Sequence, residues 1–319
     1  MIKIEMDVSP AIINRTAVHH MVLDIGHHLA GKYNLELSVL GKIQARGQTP
    51  EGWLATLDQK KREVLTRRIM ESARQSRRYN GTPPMQATKR NGRTKLYLDA
   101  LFTPDKTGPS PTDIVVVHDL TPMTHPHWHN PTIAGSYTQS FLRMAVSGCI
   151  IISDSLSTTA ELRFQLGVDP DRIHTLPLYL RQQQAKATPN EEQKEKNRFF
   201  LFVGSLELRK NVTGLIQAFA ATQLHKNGFS LQIVGMNGNG SEIIKAEAEK
   251  TPGVQLHGFV SERKLAELYE SCDAFAYPSF WEGFGMPLLE AMAKGCLCIS
   301  TTTGASPEVG GDAVIYVDP

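Results

Sequence analysis

Pro278-Ser279-Phe280-Trp281-Glu282-Gly283-Phe284-Gly285-Met286-Pro287-Leu288-Leu289-Glu290-Ala291-Met292-Ala293-Lys294-Gly295 runs a glycine-flanked loop straight into a short helix. Pro287 suits the first helical position, where its missing N–H costs nothing. Leu288, Leu289 and Met292 supply an apolar face, and Gly295 a left-handed stop. Residues Glu282 to Met286 are therefore expected on the N-terminal end of a helix. Such an end presents unpaired amides and a positive dipole, and Gly283 and Gly285 remove side chains that would hold a ligand off the backbone. A phosphate suits that place. Glu282 in the loop and Glu290 in the helix bracket it, and each can accept paired hydroxyl donors from a sugar or ribose diol. An ordinary strand-turn-helix of a doubly wound sheet also wants Gly and Pro, so the surrounding chain decides the meaning.

Around this passage the second half alternates strictly. Strand-like runs at 199–203, 230–234, 254–257, 274–277 and 296–299 are separated by helical patterns. Val212, Leu215, Ile216, Phe219 and Ala220 follow a helical period behind Asn211 as a cap, and Leu265, Leu268 and Tyr269 do so behind Ser261. Such alternation implies a parallel sheet covered on both faces. In the first half, strands are expected at 2–6, 35–40, 96–98, 114–117 and 149–152, with a helix carrying Val18, Met21, Val22, Ile25 and Leu29. Residues 181–198 have almost nothing to bury and read as a linker. The expectation is an α/β protein of two Rossmann-like domains, 1–180 and 199–319, facing each other across a cleft.

Three further turns lie at expected strand ends. Gly204-Ser205-Leu206-Glu207-Leu208-Arg209-Lys210-Asn211 leads into a helix. Arg209 and Lys210 there can reach over the C-terminal edge of the sheet, where open α/β sheets bind ligands. Cations beside a helix start oppose its dipole and gain from a bound anion. Gly235-Met236-Asn237-Gly238-Asn239-Gly240 and His257-Gly258-Phe259-Val260-Ser261 are strand-to-helix turns of the same sheet. In the first half, Val117-His118-Asp119-Leu120-Thr121-Pro122 ends a buried strand with a polar pair.

Glu282 to Glu290, with Gly-Phe-Gly-Met-Pro between them, resembles the Glu, seven residues, Glu motif of retaining GT-B glycosyltransferases, the glycosyl transferases group 1. The Val-Gly to Arg-Lys-Asn segment and the His-Asp-Leu-Thr-Pro turn are similar to other motifs of that family; Ser205 stands where many members carry a further Arg. The resemblance implies a retaining transfer of a hexose, with GDP-mannose the first donor to consider, from a nucleoside-diphosphate sugar to a glycan or lipid-linked acceptor in polysaccharide biosynthesis. It implies no cofactor and no catalytic metal. Glu282 would hold donor hexose hydroxyls, Glu290 the ribose diol, and Arg209 with Lys210 the diphosphate. Gly258, Phe259 and Val260 would lie at the nucleobase, and Gly283, Phe284, Gly285 and Met286 would contribute at the helix end. His118 joins Glu282, Arg209 and Lys210 as a catalytic candidate. The segment Asn14-Arg15-Thr16-Ala17-Val18-His19 is similar to a mannosyltransferase loop, but Ala17 and His19 replace its two glycines; Arg15 and Asp119 are the acceptor-side candidates. Alternatives are a nucleotide-sugar epimerase of the same fold and a catalytically inactive partner subunit. The family continues for several more helices beyond the position of Tyr316-Val317-Asp318-Pro319, the last crossing back to the N-terminal domain.

Two metal-like patterns are read as structural. Asp169-Pro170-Asp171 sits in a turn, and His125, His127 and His129 alternate around Pro126 and Trp128 in a polar loop. The four cysteines lack Cys-x-x-Cys spacing and are expected as buried thiols. Met1-Ile2-Lys3-Ile4-Glu5-Met6 reads as a strand without a signal peptide's apolar block, so a cytoplasmic location is expected. The net charge is only +2, yet Lys60 to Lys95 carries twelve Lys and Arg against two acids. Leu54, Leu57, Val64, Leu65, Ile69 and Ala73 place an apolar stripe beneath this charge. The pair of features predicts peripheral contact with the inner face of an anionic membrane through residues 54–95. Few aromatics interleave with the basic residues, which argues against nucleic acid.

Overall fold

Apolar runs bounded by turns become the buried strands of two sheets. The computed structural model describes residues 2–13, 17–75, 93–104, 107–180 and 198–319, in two units, Met1–Leu176 and Pro177–Pro319.

The first unit holds β1 (Lys3–Asp7), β2 (Asn34–Val39), β3 (Lys42–Arg46), β4 (Arg93–Tyr97), β5 (Ile114–Val117), β6 (Ile150–Ser153) and β7 (Ile173–Thr175). They are ordered β3-β2-β1-β4-β5-β6-β7. Every pairing is parallel except β2 with β3. Leu40, expected inside a strand, is instead in a turn. Leu40 and Gly41 have φ of 50° and 71°, and consecutive positive φ values suit the tight turn that sends an antiparallel edge strand back along β2. One face of the sheet buries Met6, Leu35 and Leu37 against Trp53, Leu54 and Ile69. The other buries Val115, Val117 and Ile151 against Phe141 and Met144.

The apolar stripe over 54–73 is corrected by this packing. Leu54 and Ile69 are buried in the core, and Leu57 and Leu65 pack against it; Val64 is 40% exposed. The helix Gln59–Gln75 uses its apolar side to cover its own sheet, because burial there removes the same apolar area from water without a membrane. Lys60, Lys61, Arg67 and Arg68 remain exposed. Arg93 and Lys95 are β4 residues: Arg93 pairs with Glu5 and Glu36, and Lys95 with Glu5 at 2.7 Å. Arg62 is half-buried and donates to the carbonyl of Leu54 at 3.0 Å; Arg77, Arg78, Lys89 and Arg90 lie outside the described residues. Among the described residues no helix is long and apolar enough to cross a membrane.

The second unit holds β8 (Arg198–Val203), β9 (Phe229–Val234), β10 (Val254–Gly258), β11 (Ala274–Tyr277), β12 (Cys298–Thr301) and β13 (Val314–Val317). Their order is β10-β9-β8-β11-β12-β13, and all are parallel. Arg198, expected in the linker, already pairs with Phe229 in β8; 181–197 lie outside the described residues. From β8 the chain moves outward through β9 to β10, then returns to place β11 on the other side of β8. That reversal is a topological switch point, where the helices leave a crevice at the strands' C-terminal ends. The loops after β8 and β11 must therefore meet.

Candidate active site

They do meet. The amide of Phe280 donates to the carbonyl of Arg209 at 2.9 Å. Leu208–Lys210 form one 3-10 turn, and the following helix runs Val212–Thr222. Asn211 is not the side-chain cap expected of it. Its φ is +52° and its side chain makes no capping bond, so it serves as a left-handed corner, a conformation Asn tolerates better than most residues. Glycine keeps the neighbouring turn close: a Cβ on Gly235 would lie 1.8 Å from the carbonyl oxygen of Gly204.

The corner gathers three expected site residues into one buried network. Arg209 Nη1 donates to Glu282 Oε2 at 2.9 Å and to the carbonyl of Trp281 at 2.7 Å. Lys210 Nζ donates to Glu282 Oε1 at 2.7 Å and to the Tyr277 hydroxyl at 2.5 Å. Glu282 is 4% exposed and Lys210 6%. Burial alone would push the Glu282 carboxyl up, but Arg209 and then Lys210 outweigh it and bring its pKa down to about 2. The partners respond unequally: burial, with Arg209 adding repulsion, holds Lys210 below the usual lysine value despite Glu282. The carboxylate's direction decides the charge state, because Glu282 answers to two cations, whereas Lys210 is opposed by Arg209 as well as supported by Glu282 and Glu207. Ionised Glu282 is therefore the centre of the network.

Glu207, Tyr277 and Gly304 complete it and were not singled out in the sequence. Glu207 receives Ser205 Oγ at 2.7 Å and lies 3.5 Å from Arg209 Nη2. Tyr277 is the last residue of β11, where its apolar neighbours made it look like core. Gly304 lies at φ +58°, and a Cβ there would come within 2.5 Å of the Glu282 carbonyl oxygen; the next amide, of Ala305, donates to that oxygen at 2.9 Å. Its only sequence signal was a glycine in a run of Thr and Ser.

The helix after the loop runs Met286–Ala293 from Gly285, whose φ is +96° and which offers no capping side chain. Pro287 thus falls one place later than expected. Gly283, Phe284 and Gly285 are buried and Met286 half-buried. Gly295 has φ +76°, the left-handed stop. Glu290 Oε2 accepts from the Tyr269 hydroxyl at 3.0 Å; burial pushes the Glu290 carboxyl up, and Tyr269 only partly reverses this. Gly258 ends β10, two strands from β8, and its carbonyl accepts from Gly235 N at 2.9 Å. Phe259 is 65% exposed, while Val260 packs against the core.

In the first unit, His118 follows β5. Its Nδ1 lies 2.5 Å from Asp154 Oδ2 and its Nε2 3.0 Å from the carbonyl of Leu98. Burial pulls the imidazole down, but Asp154 and then Asp99 reverse this and raise its pKa to about 10. Asp119 Oδ1 accepts from Thr121 N at 2.8 Å and Oγ1 at 2.5 Å, shaping the turn. Arg15 lies outside the described residues. Asp169 Oδ1 accepts from Asp171 N at 3.0 Å, and His125 stacks on Trp128 with ring centroids 4.2 Å apart. Among the described residues no group of three or more His, Cys, Asp or Glu is placed to hold a metal ion.

Residues 183–319 match the family described as glycosyl transferases group 1. The match lies within the second unit. The chain is 29% identical over 218 residues to O-antigen chain mannosyltransferase B of Escherichia coli, covering 65% of this chain and 57% of the relative. It spans about half the length of the curated relatives it matches. Among solved structures, WaaG, a glycosyltransferase involved in lipopolysaccharide biosynthesis, superposes with a TM-score of 0.64 at 14% identity, covering 99% of this chain and 86% of that one. Alr3699/HepE of Anabaena, solved with UDP and glucose, gives 0.65 at 14% identity, covering 100% and 86%. At such identities the likeness is one of fold, and that fold is GT-B. In the second unit, the network around Glu282 occupies the switch point of the sheet.

Proposed function

We propose that the chain transfers a hexose, with retention, from a nucleoside-diphosphate sugar to a glycan or lipid-linked acceptor, with GDP-mannose as the first donor to test. One observation carries the reading: a buried, ionised Glu282 held by Arg209 and Lys210 at the switch point of the second unit's sheet, where its loop leads into a helix start at Gly285. Fixed cations at that edge suit a departing diphosphate, and fixed charge does so without a metal. Glu290, held by Tyr269, is assigned to the ribose diol, and Phe259 to the base. The mannosyltransferase relative supports the choice of sugar. The reaction is placed in the cytoplasm, and any hold on an anionic membrane would come from exposed Lys60, Lys61, Arg67 and Arg68, since the apolar stripe faces the core.

A donor panel tests this. GDP-mannose should raise the unfolding temperature more than other nucleotide sugars, since ligand at a hundredfold over Kd stabilises by about 2.7 kcal/mol. With an O-antigen-type mannan acceptor it should give a longer glycan, with chelator present. Stabilisation by no nucleotide sugar overturns the proposal, and isomerisation of donor alone replaces it with an epimerase. Loss of transfer with chelator, restored by magnesium or manganese, overturns the metal-free part.

A further inference from the structure

The strand ends of the first unit hold an arrangement that glycosyl transfer by the second unit does not account for. Both ring nitrogens of His118 face acceptors: the Asp154 carboxylate at Nδ1 and the Leu98 carbonyl at Nε2. A neutral imidazole has one N–H. With the hydrogen on Nδ1, the Nε2 lone pair would face a carbonyl oxygen at 3.0 Å; with it on Nε2, the Nδ1 lone pair would face a carboxylate oxygen at 2.5 Å. Two hydrogens satisfy both contacts. Placing the second on Asp154 would also do so, but imidazole is the stronger base, with ordinary values of about 6.5 against about 3.9.

The surroundings favour the same charge. Asp154 follows β6, Asp99 follows β4, and Asp119 is the next residue in the chain. Tyr137, from the helix Pro131–Ser147, donates to Asp99 Oδ2 at 2.8 Å. Thr158, from the helix Leu156–Leu166, pins the His118 backbone by donating from Oγ1 to its carbonyl at 3.1 Å. Two carboxylates, Asp154 and Asp99, thus act on one ring.

We infer that Asp154 is a positioning residue that holds His118 as an imidazolium through neutral pH, so that His118 takes part in the reaction as a fixed cation and not as a proton shuttle. The part concerning the reaction rests on the glycosyl-transfer reading; the charge state rests on the first unit alone. The raised pKa of His118, about 10, agrees with it.

The test combines ring spectra with kinetics. In 15N-histidine-labelled protein, the His118 signals are those lost in His118→Gln. In the wild type both His118 nitrogens should stay protonated to about pH 9, whereas Asp154→Asn should lose the second hydrogen by about pH 7. Asp154→Glu, which keeps a carboxylate, should retain more of it than Asp154→Asn. For GDP-mannose-dependent transfer, wild-type kcat should stay level between about pH 6 and 8.5, while Asp154→Asn should gain a falling limb whose midpoint matches its ring titration. A wild-type ring that is neutral at about pH 7.5 overturns the inference, as does an Asp154→Asn titration equal to the wild type's. A moved titration with an unmoved kcat profile overturns the role in the reaction. Absence of transfer by the wild type overturns the glycosyl-transfer reading and that role with it, while the ring spectra still decide the charge. Should Asp154→Asn not fold, the wild-type spectra and Asp154→Glu decide it.

Discussion

At the scale of single residues, Glu282 joins two demands that are usually met separately. Its oxygens are bonded to Arg209 and Lys210, so replacing it removes a fold contact along with any ligand contact, and a lost rate alone would not tell them apart. A double-mutant cycle does. Glu282→Gln leaves Lys210 enclosed beside Arg209, without the carboxylate it is hydrogen-bonded to and with Glu207 the remaining one acting on it, and breaking one side of a buried pair costs ~3–5 kcal/mol. Lys210→Met should cost less, because a buried lysine already below its usual pKa loses little by becoming apolar. The double variant should be more stable than Glu282→Gln alone, with a coupling of roughly 2 kcal/mol in urea unfolding. Additive losses would show that the pair is not a unit. The carboxylate pair was legible as residue types, since Gly, Pro and Glu at these spacings have few uses. That Glu282 would bind its own cations was not, because the sequence does not say that β8 and β11 are neighbours.

At the scale of elements, the loop is set from behind by Gly304. Gly295 and Gly304 both have positive φ, but nothing lies within 4 Å of a Cβ at Gly295, whereas Gly304 backs directly onto Glu282. Gly295→Ala should therefore show only left-handed strain, ~1–2 kcal/mol. Gly304→Ala should lose a further ~1–3 kcal/mol through steric displacement of the loop. Equal midpoints in urea for the two variants would sink this account. The elements differed in how visible they were for related reasons. β11 coincides with the expected 274–277 because four apolar residues between turns leave little choice. β3 was missed: in Lys42-Ile43-Gln44-Ala45-Arg46 the polar residues are exposed and only Ile43 and Ala45 face inward, as an edge strand allows. The helix Gln59–Gln75 shows the converse error. Its apolar stripe records that one face is covered and not by what, and here the cover is the unit's own core.

At the scale of the whole chain, the two units should answer pH in opposite senses. In the second unit, the Glu282 pKa is depressed to about 2 from an ordinary 4.5. Its contribution is present above the ordinary value and is lost as pH falls through the depressed one, on the order of 3 kcal/mol in all. In the first unit, His118 is raised to about 10, so its contribution is complete below an ordinary value of about 6.5 and fades as pH climbs toward 10. Asp7, at the end of β1, adds to this trend: burial raises its carboxyl to about 6 against the bonds from Ser9 and Gly41. Ionising it as pH passes from about 4 to 6 therefore costs stability. Protection from amide exchange, corrected for the intrinsic pH dependence, should fall in β8 and β11 between about pH 5 and pH 3. In β5 and β6 it should instead hold there and fall between about pH 7 and pH 9. Asp154→Asn should flatten only the alkaline loss and Glu282→Gln only the acid one. Parallel loss in both sheets at either extreme would refute the assignment, because it would mean that pH acts on the net charge of the chain and not on these two buried pairs.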